Sequence, residues 1–346
     1  MMAPEFLVAG VLGAALILYV LTGGADFGGG VLDLFASGPR KIQQRRAVAL
    51  AIGPVWEANH VWLILAIVLM FTCFPVAHAA ISTALHIPLT LMLIGVVLRG
   101  TAFVFRSYDS RRDDVQARWS VIFAVASTVT PVLLGVVVGA IASGRIRIVD
   151  GRYQGDFTSA WLAPFPWAVG LLTLAIFAFL AAVYMTRVTG HDVALQEDFR
   201  TRGLWASAAV FGLAWLSFFL ARSGAPQIWS GLWSSAVAIP FQVGVGACGL
   251  GCIHALYSRH YQRAQVLAIL QVVLVVGGWA GSQMPYVVPP DLTLGEHAPD
   301  NVLWTVLGIL AVGTPPLFAA YMWMMWVFKG PGAPHDPRLP RQETQT

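Results

Sequence analysis

The stretch Trp-Glu-Ala-Asn-His-Val-Trp at residues 56–62 places three polar side chains next to a strongly apolar segment. It continues directly into the apolar run 63–71, so the pattern predicts that Glu57, Asn59 and His60 lie on a membrane-spanning helix. A charged side chain near the centre of a bilayer costs at least ~2.5–3.5 kcal/mol. Glu57 therefore needs either a buried partner or a function. On a helix, His60 would lie one turn beyond Glu57 and share its face.

Two further charged residues lie in apolar segments at a similar depth. Asp26 is part of the glycine-rich run 22–30, and Arg99 follows in a later segment. At 1.5 Å per residue, Asp26 lies ~15 Å from the inner end of its predicted span, Glu57 lies at a comparable depth, and Arg99 lies slightly closer to the inner end. If the three helices adjoin, these groups form an intramembrane ion pair or a proton route that uses the same residues.

The elements that position these groups are membrane helices. Of the 346 residues, 57% are hydrophobic and 11% are charged, whereas soluble domains carry roughly 25% charged residues. Because a span needs ~20 largely apolar residues, the sequence predicts an all-α polytopic membrane protein with about nine transmembrane helices in one domain, 1–329. Two four-helix bundles and one peripheral helix fit their spacing. The predicted spans are 5–35, 48–72, 75–105, 118–142, 161–186, 203–221, 231–257, 264–281 and 302–328.

The positions of the lysines and arginines predict the orientation of these spans. Connections on alternate sides carry 16 and 4 of the 21 basic residues, and the remaining one is Arg99. Because basic loops stay in the cytoplasm, we expect the N-terminus outside and the C-terminus in the cytoplasm. The tail 330–346 is rich in proline and polar residues and is predicted to be disordered. Membrane topology explains the net charge of +4 better than nucleic-acid binding does.

The residues leave two other functional classes open. The glycines around Asp26 could break the first helix and create an ion site, as in secondary transporters. His60 and His86 could instead ligate haem in an unrelated di-haem cytochrome b. However, their predicted depths differ by roughly 9 Å, which two ligands of one iron do not readily tolerate. A hydrogen-bonded helix histidine is the simpler interpretation of His86.

Three motifs resemble those of one known family. Gly-Ala-Asp-Phe-Gly-Gly-Gly-Val-Leu at 24–32 and the stretch 56–62 resemble the two N-terminal motifs of subunit II of cytochrome bd quinol oxidases. The segment 284–293 and the last helix resemble the C-terminal region of that family. The chain departs from the family at Gly23, where an acid often precedes the first motif, and at Ala58, where glycine usually follows the acid. These departures indicate a divergent member.

The resemblance implies a function for the chain as one part of a larger complex. Subunit II of this family is haem-free, stabilises the assembly, holds a structural quinone in some members, and lines part of a cytoplasmic proton path. Two b haems and haem d belong to partner subunit I, and small single-helix subunits accompany some complexes. The complex oxidises quinol and reduces O2 to water in the bacterial inner membrane, surrounded by lipid. The residues of this chain predicted to serve the proton path are Glu57, Asp26, His60 and Arg99.

Overall fold

The computed structural model describes residues 3–53, 56–108, 113–234 and 238–329. The predicted disordered tail, 330–346, lies outside the described residues. The helices are α1 (Pro4–Leu34), α2 (Lys41–Ile52), α3 (Val61–Cys73), α4 (Pro75–Ala84), α5 (His86–Tyr108), α6 (Asp113–Ala142), α7 (Pro164–Val188), α8 (Val193–Gly224), α9 (Pro226–Ser234), α10 (Ala238–Tyr257), α11 (Tyr261–Gln283) and α12 (Asp300–Lys329). Two short antiparallel hairpins, β1 (Ile148–Val149) with β2 (Arg152–Tyr153) and β3 (Tyr286–Val288) with β4 (Leu292–Thr293), lie in connections between helices.

The helical membrane architecture confirms the predicted fold class. Among the described residues, eight helices are long and apolar enough to cross a membrane. A ninth span is counted if residues 58–84, which consist of a 3-10 turn, α3 and α4, form one crossing; this segment is bent by 116° between its two arms. The chain is therefore a multi-pass membrane protein. Its division into two four-helix bundles and one peripheral helix stays a prediction.

The second and third spans were predicted to be continuous helices, and this prediction was wrong. The span predicted at 48–72 is interrupted after Ile52, and a 3-10 turn at Ala58–His60 precedes α3. Gly53 keeps helical backbone angles, and Pro54 lies outside the described residues; a proline has no backbone N–H to donate, which favours the end of α2 at this point. The span predicted at 75–105 consists of α4 and α5, which are separated at Leu85. Pro75 occupies the first turn of α4, where a missing N–H costs nothing.

The glycine-rich part of α1 is a packing surface. A Cβ atom added to Gly28 would lie 1.9 Å from the backbone oxygen of Phe177 in α7, and one added to Gly30 would lie 2.2 Å from Cβ of Ser127 in α6. Three helices therefore approach one another at distances that only glycine allows. Because α1 runs unbroken from Pro4 to Leu34, the expectation of a glycine-broken first helix was wrong, and the transporter alternative loses its basis.

The connections between helices gather at two ends of the molecule. At one end, Arg40 donates to Asp198 of α8 at 2.8 Å, and Gln44 donates to the same carboxylate at 2.7 Å. At the other end, Arg147 pairs with Asp291 at 3.0 Å, joining the two hairpin connections. Which end faces the cytoplasm stays a prediction from charge.

Candidate functional site

The segment from Glu57 to His60 forms a helix break at membrane depth. Asn59 contacts Asp26, and the ring of His60 lies 5.9 Å from that of Phe27. Asp26 is eight residues from the end of α1 at Leu34, which corresponds to ~12 Å along the helix. The break therefore lies well inside the predicted membrane region. The polar side chains of this segment differ in burial: Glu57 is exposed, His60 is partly buried and Asn59 is buried.

Glu57 is exposed on the outside of the chain. Its backbone oxygen accepts from His60 N at 3.3 Å, and its carboxylate forms no hydrogen bond or ion pair with the described residues. Arg99 is therefore not its partner in the described part of the chain. The apolar side chains that follow on α3 are also exposed: Ile64 58%, Ile67 47%, Val68 51% and Phe71 65%. Glu57 thus lies at one end of an exposed apolar stripe.

His60 turns into the interior. Its ring lies 6.0 Å from that of Tyr19 and makes an edge contact with Phe27. Its Nδ1 atom is buried and has no hydrogen-bond partner among the described residues. Glu57 precedes a 3-10 turn and His60 ends it, so the two are not on one α-helix as expected; Glu57 is exposed, whereas His60 is partly buried against the two aromatic rings.

Asp26 accepts a hydrogen bond from Nδ2 of Asn59, and both residues are buried. The other end of the Asn59 amide, Oδ1, accepts from the hydroxyl of Tyr321 at 2.9 Å. Asp26, Asn59 and Tyr321 therefore form a chain of hydrogen bonds from α1 through the break to α12.

Arg99 supplies the positive charge of the site. It is 1% exposed, and its guanidinium carbon lies 4.5 Å from the centre of the Phe27 ring and 5.6 Å from that of Phe123. Asp26 is the carboxylate whose charge acts on it. Its Nε and Nη2 atoms have no hydrogen-bond partner within the described ranges. A buried acid and a buried base thus offset each other's desolvation, and aromatic faces provide further stabilisation.

A cavity of about 50 Å3 lies against Asp26 between α1, α2 and α7. Its lining is mostly apolar, and it extends toward the end of α7 that carries Met185 and Val188. A cavity of this size holds a few water molecules and is much smaller than the pockets that hold organic cofactors. The arrangement can therefore hold water beside a buried carboxylate.

The remaining histidine candidate lies elsewhere. His86 is exposed at the start of α5, where its Nδ1 atom lies 3.0 Å from the backbone oxygen of Thr83. His60 precedes α3, and the 13 residues of that helix and all of α4 separate the two histidines. The length of α3, ~20 Å, separates His60 from the α3–α4 junction, so the two rings do not converge. Within the described residues, no group of three or more His, Cys, Asp or Glu side chains could hold a metal ion.

Sequence reasoning missed Tyr321. It lies on the helix predicted to be peripheral, in an apolar stretch with no other polar group nearby. A tyrosine in such a stretch is usually an interfacial or packing residue, and only the fold shows that its hydroxyl reaches Asn59. A second missed contact is that of Phe27, whose ring lies between His60 and Arg99.

Comparison with known proteins gives a consistent family. The family model described as cytochrome bd terminal oxidase subunit II matches residues 4–328. Cytochrome bd-I ubiquinol oxidase subunit 2 of Escherichia coli K12 is 29% identical over 221 residues, which are 58% of this chain and 57% of that protein. The match thus spans little more than half of that relative's length. The putative cytochrome bd menaquinol oxidase subunit II of Bacillus subtilis 168 is 23% identical over 292 residues, 80% of this chain and 81% of that protein.

A solved structure shows the same fold. The bd oxidase from Geobacillus thermodenitrificans superposes with a TM-score of 0.77 at 20% identity, covering 94% of this chain and 98% of the matched one.

Proposed function

Because the chain belongs to the family of cytochrome bd terminal oxidase subunit II, we propose that it is the haem-free subunit II of a bd-type quinol oxidase in the bacterial inner membrane. The complex oxidises quinol and reduces O2 to water. Relatives named for ubiquinol and for menaquinol both match, so the proposed substrate is a quinol of either kind. The chain stabilises the assembly and supplies part of a path for protons from the cytoplasm.

The exposed carboxylate of Glu57 is the observation that carries this proposal. A carboxylate facing lipid at this depth costs at least ~2.5–3.5 kcal/mol. Covering it with another protein removes contact with hydrocarbon and supplies polar partners. The apolar stripe of Ile64, Ile67, Val68 and Phe71 gives the same face a surface for helix packing. We therefore assign this face of α3 to partner subunit I.

The redox cofactors belong to the partner in this proposal. A b-type haem needs axial ligands on facing helices at matched depth, and His60 and His86 do not meet this requirement. The cavity beside Asp26 is also too small for a quinone ring. The residues described in this chain therefore fit neither a haem nor a structural quinone at these positions.

The polar residues of the chain have distinct roles in the proposed proton path. Glu57 receives and releases protons at the subunit interface, where a carboxylate on a non-helical turn can reorient. Arg99 stabilises the ionised form of Asp26, and the adjacent cavity gives that carboxylate contact with water. His60 lies among Tyr19 and Phe27 and closes the interior side of the break. Neither Glu57 nor Asp26 needs a redox group of its own for these roles.

Glu57→Gln tests the central role, because glutamine keeps the shape of glutamate and cannot exchange a proton. We expect normal assembly and haem content of the purified complex and slower O2 reduction, whereas Glu57→Asp restores much of the rate. Asp150→Asn is a matched control, because Asp150 is an exposed loop residue with φ of 50°, which asparagine also adopts. Normal turnover of Glu57→Gln would refute the proton role, and failure to assemble would show that Glu57 is a structural contact with the partner.

A further inference from the structure

Tyr321 is a polar contact between the otherwise exposed α12 and the buried site. Much of α12 is open: Val312 is 78% exposed, Trp323 69% and Trp326 68%. Tyr321 instead faces the body of the protein, where its ring makes an edge contact with Trp62 at 5.7 Å and its hydroxyl reaches Asn59. The outer end of α12 is anchored separately, because Leu303 is fully buried there. Tyr321 is therefore the point at which α12 engages the polar centre.

The hydrogen-bond roles along this chain are fixed by chemistry. An ionised carboxylate only accepts, so Asn59 must turn its Nδ2 donor toward Asp26. The amide oxygen then faces away from Asp26 and requires a donor of its own. Asn59 is 3% exposed and cannot obtain that donor from bulk water. The Tyr321 hydroxyl supplies it at 2.9 Å, and it would have no such role if the amide were reversed.

We propose that Tyr321 is a positioning residue: through Asn59 it holds Asp26 as a hydrogen-bonded carboxylate and couples the seating of α12 to the charge of that group. A hydrogen bond to the charged form favours it. The coupling is reciprocal, because a carboxylate that holds Asn59 in place also favours the seated position of α12. This inference deepens the proposed function, in which Asp26 belongs to the proton path.

Other groups also act on Asp26 and must stay unchanged in a test. The neighbouring titratable and charged side chains come from α1, α5, the 3-10 turn and α7, and they are Tyr19, Arg99, His60 and Tyr184. The substitution Tyr321→Phe replaces none of these four side chains. It also keeps the aromatic ring against Trp62 and removes one hydroxyl group.

Infrared titration of the intact complex provides the test. The C=O band of protonated Asp26 is identified by its loss in Asp26→Asn. In Tyr321→Phe we expect this band to persist to a higher pH, by up to about 1 unit, the limit set by one hydrogen bond that is lost when Asp26 is protonated. Hydrogen exchange of α12 should become faster in the same variant. Tyr257→Phe is the matched control, because Tyr257 is 75% exposed and its loss should leave both readouts unchanged.

Each outcome bears on one proposal. An unchanged band in Tyr321→Phe would overturn the positioning role, even if Asp26→Asn slows O2 reduction. A shifted band with an unchanged rate in Asp26→Asn would support Tyr321 and refute the place of Asp26 in the proton path. If Tyr321→Phe does not accumulate, monofluorinated tyrosine can be placed at position 321 instead. Its hydroxyl is a stronger hydrogen-bond donor, so the C=O band of Asp26 must disappear at lower pH. An unshifted band would again overturn the proposal.

Discussion

Removing either partner of the buried pair Asp26–Arg99 destabilises the chain, but the two losses depend differently on pH. Asp26 is 5% exposed and Arg99 1%, and leaving a buried charge without its compensating charge costs ~3–5 kcal/mol. In Arg99→Met, Asp26 can escape this penalty by binding a proton. For an aspartate with an ordinary pKa, binding this proton costs about 4 kcal/mol at pH 7 and about 3 kcal/mol at pH 6. These values are upper limits on the part of the loss that comes from the uncompensated carboxylate; the lost contacts of Arg99 with Phe27 and Phe123 add to it.

Asp26→Asn leaves a charge that cannot be neutralised, because a guanidinium does not lose its proton in proteins. Arg99 keeps the faces of Phe27 and Phe123, at 4.5 and 5.6 Å, and such contacts contribute ~0.5–2 kcal/mol. The loss in this variant is therefore independent of pH between 6 and 8. The double variant lacks both charges, so we expect it to be less destabilised than either single variant.

The free energies of unfolding of these variants can be measured by unfolding them in mixed micelles with increasing dodecyl sulfate. Tryptophan fluorescence follows the unfolding at pH 6, 7 and 8. The loss in Arg99→Met should grow by up to about 1.4 kcal/mol per pH unit until it reaches the cost of the unpaired ion. Arg222→Met is the control, because Arg222 is exposed at the end of α8. A loss in Arg99→Met that does not change with pH, or additive losses in the double variant, would contradict an electrostatic coupling between Asp26 and Arg99.

Two other predictions concern packing and topology. Gly28→Ala should force α1 and α7 apart by about 1.5 Å, because its Cβ must reach an ordinary contact distance from the Phe177 oxygen. We expect a loss of ~1–3 kcal/mol or more in free energy of unfolding in the same assay. Gly13→Ala is the control and should cost little, because nothing lies within 4 Å of its Cβ; equal losses in the two variants would show that the contact at Gly28 is not tight. A reporter active only in the cytoplasm should work when fused after Lys329 and fail within 282–301, and the reverse pattern would invert the orientation deduced from the basic residues.

The sequence predicted those features of the molecule that depend on one segment at a time. Apolar length identified the membrane helices, and depth counted along them brought Asp26 and Arg99 to one level, where the structure also has them. Gly53-Pro54 indicates the helix break in the sequence, but the apolar run that follows is typical of a continuous span, so the interruption was not predicted.

The features that sequence reasoning missed depend on how separate segments face one another. Glu57 and His60 are three residues apart, yet Glu57 is exposed whereas His60 packs against Tyr19 and Phe27 on α1. The role of Tyr321 depends on its contact with Asn59, 262 positions away along the chain. No local pattern of hydropathy or spacing contains that information.

The contact between Gly28 and the Phe177 carbonyl has a consequence for how this family can vary. The atom that touches α1 belongs to the backbone of α7, so every amino acid at position 177 presents the same oxygen. Evolution can therefore change the side chain at 177 without a compensating change at 28, whereas glycine at 28 admits no substitute while the helices keep this spacing. A search for correlated substitutions in aligned sequences would therefore not detect one of the tightest helix contacts in the molecule.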